Sequence, residues 1–135
     1  MTGKIAANGS IMSLLDGKNN LVTINENYCF VKLFQSCASL MTAPLLPASK
    51  LSDSCYYIMF NSCTNLKNAP KLAATNLASS CYYRMFDNCT ALIAAPELPA
   101  IKLTSFCYYA MFRNCKALIS APKLLATTLV NSCYY

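Results

Sequence analysis

Apolar and polar positions alternate along this chain in a short, fixed rhythm. Cys81, Met85 and Cys89 stand four residues apart, Tyr82 and Phe86 follow one place on, and Tyr83, Arg84 and Asp87 interrupt them. At 100° per residue the five apolar side chains share one stripe, which predicts a short amphipathic helix. Ser79 stands just ahead of it, and Asn27, Asp53, Ser105 and Asn131 occupy the same place in sister segments. All are residue types that cap helix N-termini. Ser36, Ser62, Asn88 and Asn114 precede the second cysteine of each segment and suit a helix end in a left-handed turn. The stretch Leu92-Ile-Ala-Ala-Pro-Glu-Leu-Pro is too short and proline-rich for a second helix. It predicts a short extended segment, then a turn closed by Leu103.

The rhythm repeats from residue 27 to the end of the chain. The nine cysteines are separated by gaps of 8 and 18 in strict alternation, a period of 26 residues. Phe34, Phe60, Phe86 and Phe112 form one column of this period. Leu40, Leu66, Leu92 and Leu118 form another, and Leu51, Leu77, Leu103 and Leu129 a third; Pro44, Pro70, Pro96 and Pro122 recur likewise. A fixed period of this length signals a solenoid, in which no unit buries its apolar side alone and neighbours complete the core. One short helix and one short strand per unit predict a right-handed α/β solenoid with a parallel sheet along one face.

The pattern Tyr-x-Met-Phe-x-Asn-Cys-Thr-x-Leu, followed by Ala-Pro and Leu-Pro, resembles the BspA-like leucine-rich repeat of bacterial surface proteins. That family's unit carries an Ala-Phe, a Gly-Cys, a Leu and an Ile-Pro at comparable offsets, with a period near 23. Here the period is 26, Met replaces the Ala before Phe, and Asn or Ser replaces the Gly before Cys. The resemblance spans residues 27–135. It implies a leucine-rich-repeat solenoid, an extracellular or cell-surface location, and adhesion or binding as the role.

The repeats divide into four full units, 27–52, 53–78, 79–104 and 105–130, and the start of a fifth at 131–135. Residues 1–26 lie outside the repeat and hold Ile5, Ile11, Met12, Leu14, Leu15, Leu21, Val22 and Ile24. Asp16-Gly17 between apolar stretches is a turn signal, so a strand-turn-strand cap is expected here. No equivalent follows the last repeat, whose open end is expected to face another subunit or further chain.

Composition narrows the chemistry. Histidine is absent and the only glycines are Gly3, Gly9 and Gly17, so histidine-based catalytic pairs and zinc sites, P-loops and dinucleotide fingerprints cannot be written in the repeats. Asp87 and Glu97 share a repeat but are expected on opposite sides of it, unlike the facing carboxylates of a glycosidase. No enzyme and no cofactor are expected. The net charge of +6 is spread thinly, with no column of uniform charge to match a polyanion, which argues against nucleic acid. No run reaches the ~18 apolar residues of a membrane span, and the N-terminus lacks the apolar core of a secretory signal.

The two cysteine columns, Cys29, Cys55, Cys81, Cys107, Cys133 and Cys37, Cys63, Cys89, Cys115, are read first as small buried packing residues. Units stacked ~5 Å apart would also bring column neighbours within disulfide reach. A metal site is the weakest option, with no C-x-x-C pair to supply it. Tyr56, Tyr82, Tyr108 and Tyr134 fall on the buried stripe, and Tyr57, Tyr83, Tyr109 and Tyr135 at its edge. The edge ladder is the candidate binding site, an aromatic platform for a glycan or a partner's apolar surface; the plainer reading is that each ring covers the next. The expected function is therefore a non-catalytic module presenting an extended surface to a protein or glycan. The alternative is an assembly element, a spacer or a phage or surface-appendage part, that self-associates end to end through its open C-terminal face.

Overall fold

The computed structural model describes residues 3–134. Successive 26-residue units lie directly over one another. The rings of Phe34 and Phe60 are 5.4 Å apart, those of Phe60 and Phe86 5.6 Å, and those of Phe86 and Phe112 5.9 Å, with interplanar angles of 7°, 6° and 3°. A second column runs from Phe30 through Tyr56, Tyr82 and Tyr108 to Tyr134, its rings 5.6 to 5.8 Å apart. Leu40, Leu66 and Leu92 are fully buried in the same core, with Leu118 less covered.

The helix expected at the start of each unit is not there. Among the described residues the one α-helix is α1, Ser13–Asp16, before the repeats begin. Residues 53–62 form an unbroken run of turns, as do 27–36 and 79–88, while a bridge at Tyr108 interrupts the run 105–114. The amides divide into two sets. The N–H groups of Ser54, Tyr56, Ile58, Phe60 and Ser62 donate to the carbonyls of Ser79, Cys81, Tyr83, Met85 and Asp87 in the next coil, at 2.8–3.0 Å. Those of Cys55, Tyr57, Met59, Asn61 and Cys63 donate three residues back along their own coil, at 3.1–3.4 Å. Every fourth residue has a positive φ, as at Ser54, Ile58 and Ser62, at Ser80, Arg84 and Asn88, and at Phe106, Ala110 and Asn114.

Spacing explains the outcome. An α-helix with its side chains is ~10–12 Å across, whereas the columns repeat at 5.4–5.9 Å. Helices in every unit cannot stack that closely, and all their amides would be spent within the helix. The turn run keeps half its donors for the neighbouring coil. Burial follows a period of four, two in and two out: Cys55, Tyr56, Met59, Phe60 and Cys63 are fully buried, and Tyr57, Ile58, Asn61 and Ser62 are half-buried.

The expected caps are likewise used between coils. Asn27 Oδ1 accepts the Asp53 N–H at 3.1 Å, and Asp53 Oδ1 accepts the Ser79 N–H at 2.9 Å. In the second half of each unit, parallel bridges join Thr42 to Asn68 and Asn68 to Ala94, Leu46 to Leu72, and Leu98 to Leu124. Leu46, Leu72, Leu98 and Ala48, Ala74, Ala100 turn inward there.

Residues 5–24 cover the second half of the first unit. Strand β1 (Ile5–Ala6) pairs in parallel with β2 (Leu40–Thr42), Ser10 bridges Leu45, and Thr23 bridges Lys50. The expected strand-turn-strand is thus a strand, the one-turn α1, and a single bridge. Ile11, Met12 and Ile24 seal the core, whereas Ile5, Leu14, Leu15, Leu21 and Val22 remain exposed. Gly17 ends α1 in a left-handed conformation, and the Asp16 carboxylate then accepts the N–H groups of Lys18, Asn19, Asn20 and Leu21 at 2.8–3.1 Å. No helix of the described residues is long and apolar enough to cross a membrane.

Candidate functional site

The two-out positions of the turn run build one face, four columns wide. The first column holds Val31, Tyr57, Tyr83 and Tyr109, and the second Lys32, Ile58, Arg84 and Ala110. The third holds Gln35, Asn61, Asp87 and Arg113, and the fourth Ser36, Ser62, Asn88 and Asn114.

The expected edge ladder is assembled on this face. Tyr57 and Tyr83 lie 4.7 Å apart at 8°, and Tyr83 and Tyr109 lie 4.8 Å apart at 8°. All three are half-buried; Tyr135 lies outside the described residues. The arrangement differs from a platform in one respect that matters chemically. Rings stacked this closely spend their faces on each other, so a ligand meets ring edges and a rim of phenol oxygens. The ladder therefore suits hydrogen bonding along the stack better than sugar rings lying flat on aromatic faces. Partial burial and the neighbouring Tyr83 push the Tyr57 phenol up, and Arg84 partly offsets this.

The adjoining columns are polar. Asp87 is only 1% exposed and is held by Arg113 one coil away, through Nε at 3.0 Å and Nη2 at 2.6 Å. This bidentate pair raises the Arg113 pKa, chiefly through the hydrogen bond and then the charge of Asp87. Asn61 Nδ2 donates to the Asp87 carbonyl at 3.2 Å, and Asn114 Nδ2 donates to Asn88 Oδ1 at 2.9 Å. Arg84 crosses the ladder, with Cζ 5.4 Å from the Tyr83 ring centre. These polar partners were not singled out from the sequence. Reading the 26-residue columns for opposite charges would have found Asp87 beside Arg113.

The cysteine columns line the interior. Cys55, Cys81, Cys107 and Cys133 are buried in one column and Cys63, Cys89 and Cys115 in the other, while Cys29 and Cys37 in the first unit are half-buried. The second column shows why cysteine suits the place. The thiols of Cys63, Cys89 and Cys115 donate to the carbonyls of Phe34, Phe60 and Phe86 at 3.0–3.1 Å. Burial pushes Cys55 and Cys63 up to about 12 and Cys115 up to about 11, far from the thiolate a nucleophile or metal ligand requires.

A separate apolar cleft of about 430 Å³ opens over the fourth repeat, lined by Leu98, Tyr108, Phe112, Leu124 and Tyr134 among others. Leu124 is 52% exposed there, while its column mates Leu46, Leu72 and Leu98 are buried. Comparison with known proteins brings no match: no family model, no curated protein and no solved structure aligns with the chain.

Proposed function

We propose that this chain is a non-catalytic binding module, a repeat solenoid of the leucine-rich type, that presents its turn face to an extended glycan or protein ligand. The tyrosine ladder carries the reading: three phenol edges at 4.7 and 4.8 Å spacing, half-open to solvent, form a periodic rim along the stack. The core is already sealed by the inner tyrosines and phenylalanines, so the outer ladder is surplus to what the interior requires. The acids give no support to catalysis, since Asp87 is buried under Arg113 and Glu97 lies exposed elsewhere.

The test is a binding screen of the intact chain against soluble polysaccharides and proteins, repeated with Tyr57, Tyr83 and Tyr109 all changed to Ala. A ligand of this face should bind the variant at least tenfold more weakly while the fold is retained. Unchanged affinity would reject the site.

A further inference from the structure

Two arginines reach the tyrosine face, and only one has a carboxylate partner. Arg113 is paired with Asp87, the one ion pair among the described residues. The Nε of Arg84 is buried and has no hydrogen-bond partner. Its column neighbours are Ile58 and Ala110, and the nearest acid in sequence, Asp87, is already held by Arg113. A buried guanidinium N–H without an acceptor is costly, and the contact with the Tyr83 ring offsets only part of that cost. Nε itself lies out of a ligand's reach; an incoming anion would instead meet the terminal amino groups of the same half-buried guanidinium, which no described residue engages.

We propose that Arg84 is an anion subsite of this face, taking a carboxylate or sulfate carried by a glycan laid along the Tyr57–Tyr83–Tyr109 rim. The inference rests on the binding-module reading and specifies its ligand. The guanidinium offers a planar fork of donors matched to such oxyanions. A glycan fits better than an acidic peptide because the rest of the face offers hydrogen bonds, from phenol edges and from the side chains of Asn61, Asn88 and Asn114. That chemistry recurs once per coil and suits a polymer rich in hydroxyl groups.

The experiment uses the intact chain at about 0.15 M salt, where long-range attraction between exposed charges is largely screened. The probes are heparin, which carries sulfate, polygalacturonate, which carries carboxylate alone, and polyglutamate as the peptide arm. Binding of either polysaccharide should weaken about tenfold in Arg84→Gln and less in Arg84→Lys, which keeps the charge but loses the fork. Lys71→Gln removes the same charge from an exposed site outside this face and should change affinity less than twofold. Heparin preference would assign sulfate, and polygalacturonate preference carboxylate. Equal losses in Arg84→Gln and Lys71→Gln would overturn the subsite, as would failure to bind either polysaccharide. Tighter Arg84-dependent binding of polyglutamate would overturn the glycan assignment. If the triple tyrosine variant loses binding and Arg84→Gln does not, the face survives and the subsite fails; if neither loses it, both fail.

Discussion

Ile58 offers a decisive test of the backbone, because helix and turn run predict opposite signs there. Its φ is 58°, and as a β-branched residue it belongs to the class least suited to that region. Ile58→Ala and Ile58→Gly both remove the branched side chain, so comparing them isolates the backbone term. An L-residue held left-handed costs roughly 1–2 kcal/mol, and glycine gives back about 0.4–1 kcal/mol through the freedom of its unfolded chain. Ile58→Gly should therefore be the more stable of the two by about 0.5–1 kcal/mol. In a helix interior the order reverses, with glycine worse by about 1 kcal/mol. The two backbones are thus separated by nearly 2 kcal/mol, well within reach of urea unfolding if the m-value is constant across variants. Lys32, exposed and at φ 58°, should repeat the result with even less side-chain interference. Asn61, outside the left-handed set, should show the ordinary penalty for glycine. Alanine more stable than glycine at both 58 and 32 would refute the alternating backbone.

Three further outcomes are expected. Phe86→Ala empties a fully buried position stacked on both sides and should cost about 3–5 kcal/mol in urea unfolding, while Phe34→Ala, with one ring neighbour and partial cover, should cost clearly less. The Asp16 carboxylate is lowered from its ordinary value, first by the Lys18 N–H, against desolvation as the next largest effect, and then by the N–H groups of Asn20, Asn19 and Leu21. Its contribution should be present above the unfolded value of about 3.9 and fade as the pH falls through the folded one, so Asp16→Asn should flatten the acid side of the stability profile. Native protein at pH 8 should resist iodoacetamide at Cys55 and Cys63, where a pKa of about 12 leaves roughly one thiolate in 10⁴. Mass spectrometry should find these two thiols alkylated only after denaturation.

The sequence made the columns legible and left the local backbone hidden. A 26-residue period needs no knowledge of conformation, so the stacking of Phe34, Phe60, Phe86 and Phe112, and of Tyr57 on Tyr83 on Tyr109, could be expected directly. Read as a 3.6-residue stripe, Cys81, Met85 and Cys89 predict a helix that their strict spacing of four does not form. Over eight residues a helix drifts 80° from a period of four, and the sequence holds four without drift, with pairs of residues inside and pairs outside. Column spacing was the second missed signal, since a coil stacked ~5 Å from its neighbour leaves no room for a helix. The left-handed turn expected at Ser36, Ser62, Asn88 and Asn114 is present, but it also falls at Ile58, Arg84 and Phe106, whose residue types give no hint of it. Polar cross-coil links such as Arg113 to Asp87 and Asn114 to Asn88 required the columns to be read for charge and amide pairing as well as hydrophobicity.

The hydrogen bonds between successive turn runs all point one way. From Tyr28 donating to Asp53 through Tyr108 donating to Cys133, each amide hydrogen faces the higher-numbered coil and each accepting oxygen the lower. In an ordinary parallel sheet a strand sends donors to both neighbours; here the peptide dipoles of separate coils add head to tail, as they do within one helix. This edge of the molecule is therefore an electret whose moment grows with every repeat added. Its low-numbered end carries negative potential and its high-numbered end positive, independently of any charged side chain. An elongated ligand with unlike ends would feel a preferred direction along the stack before touching a single residue.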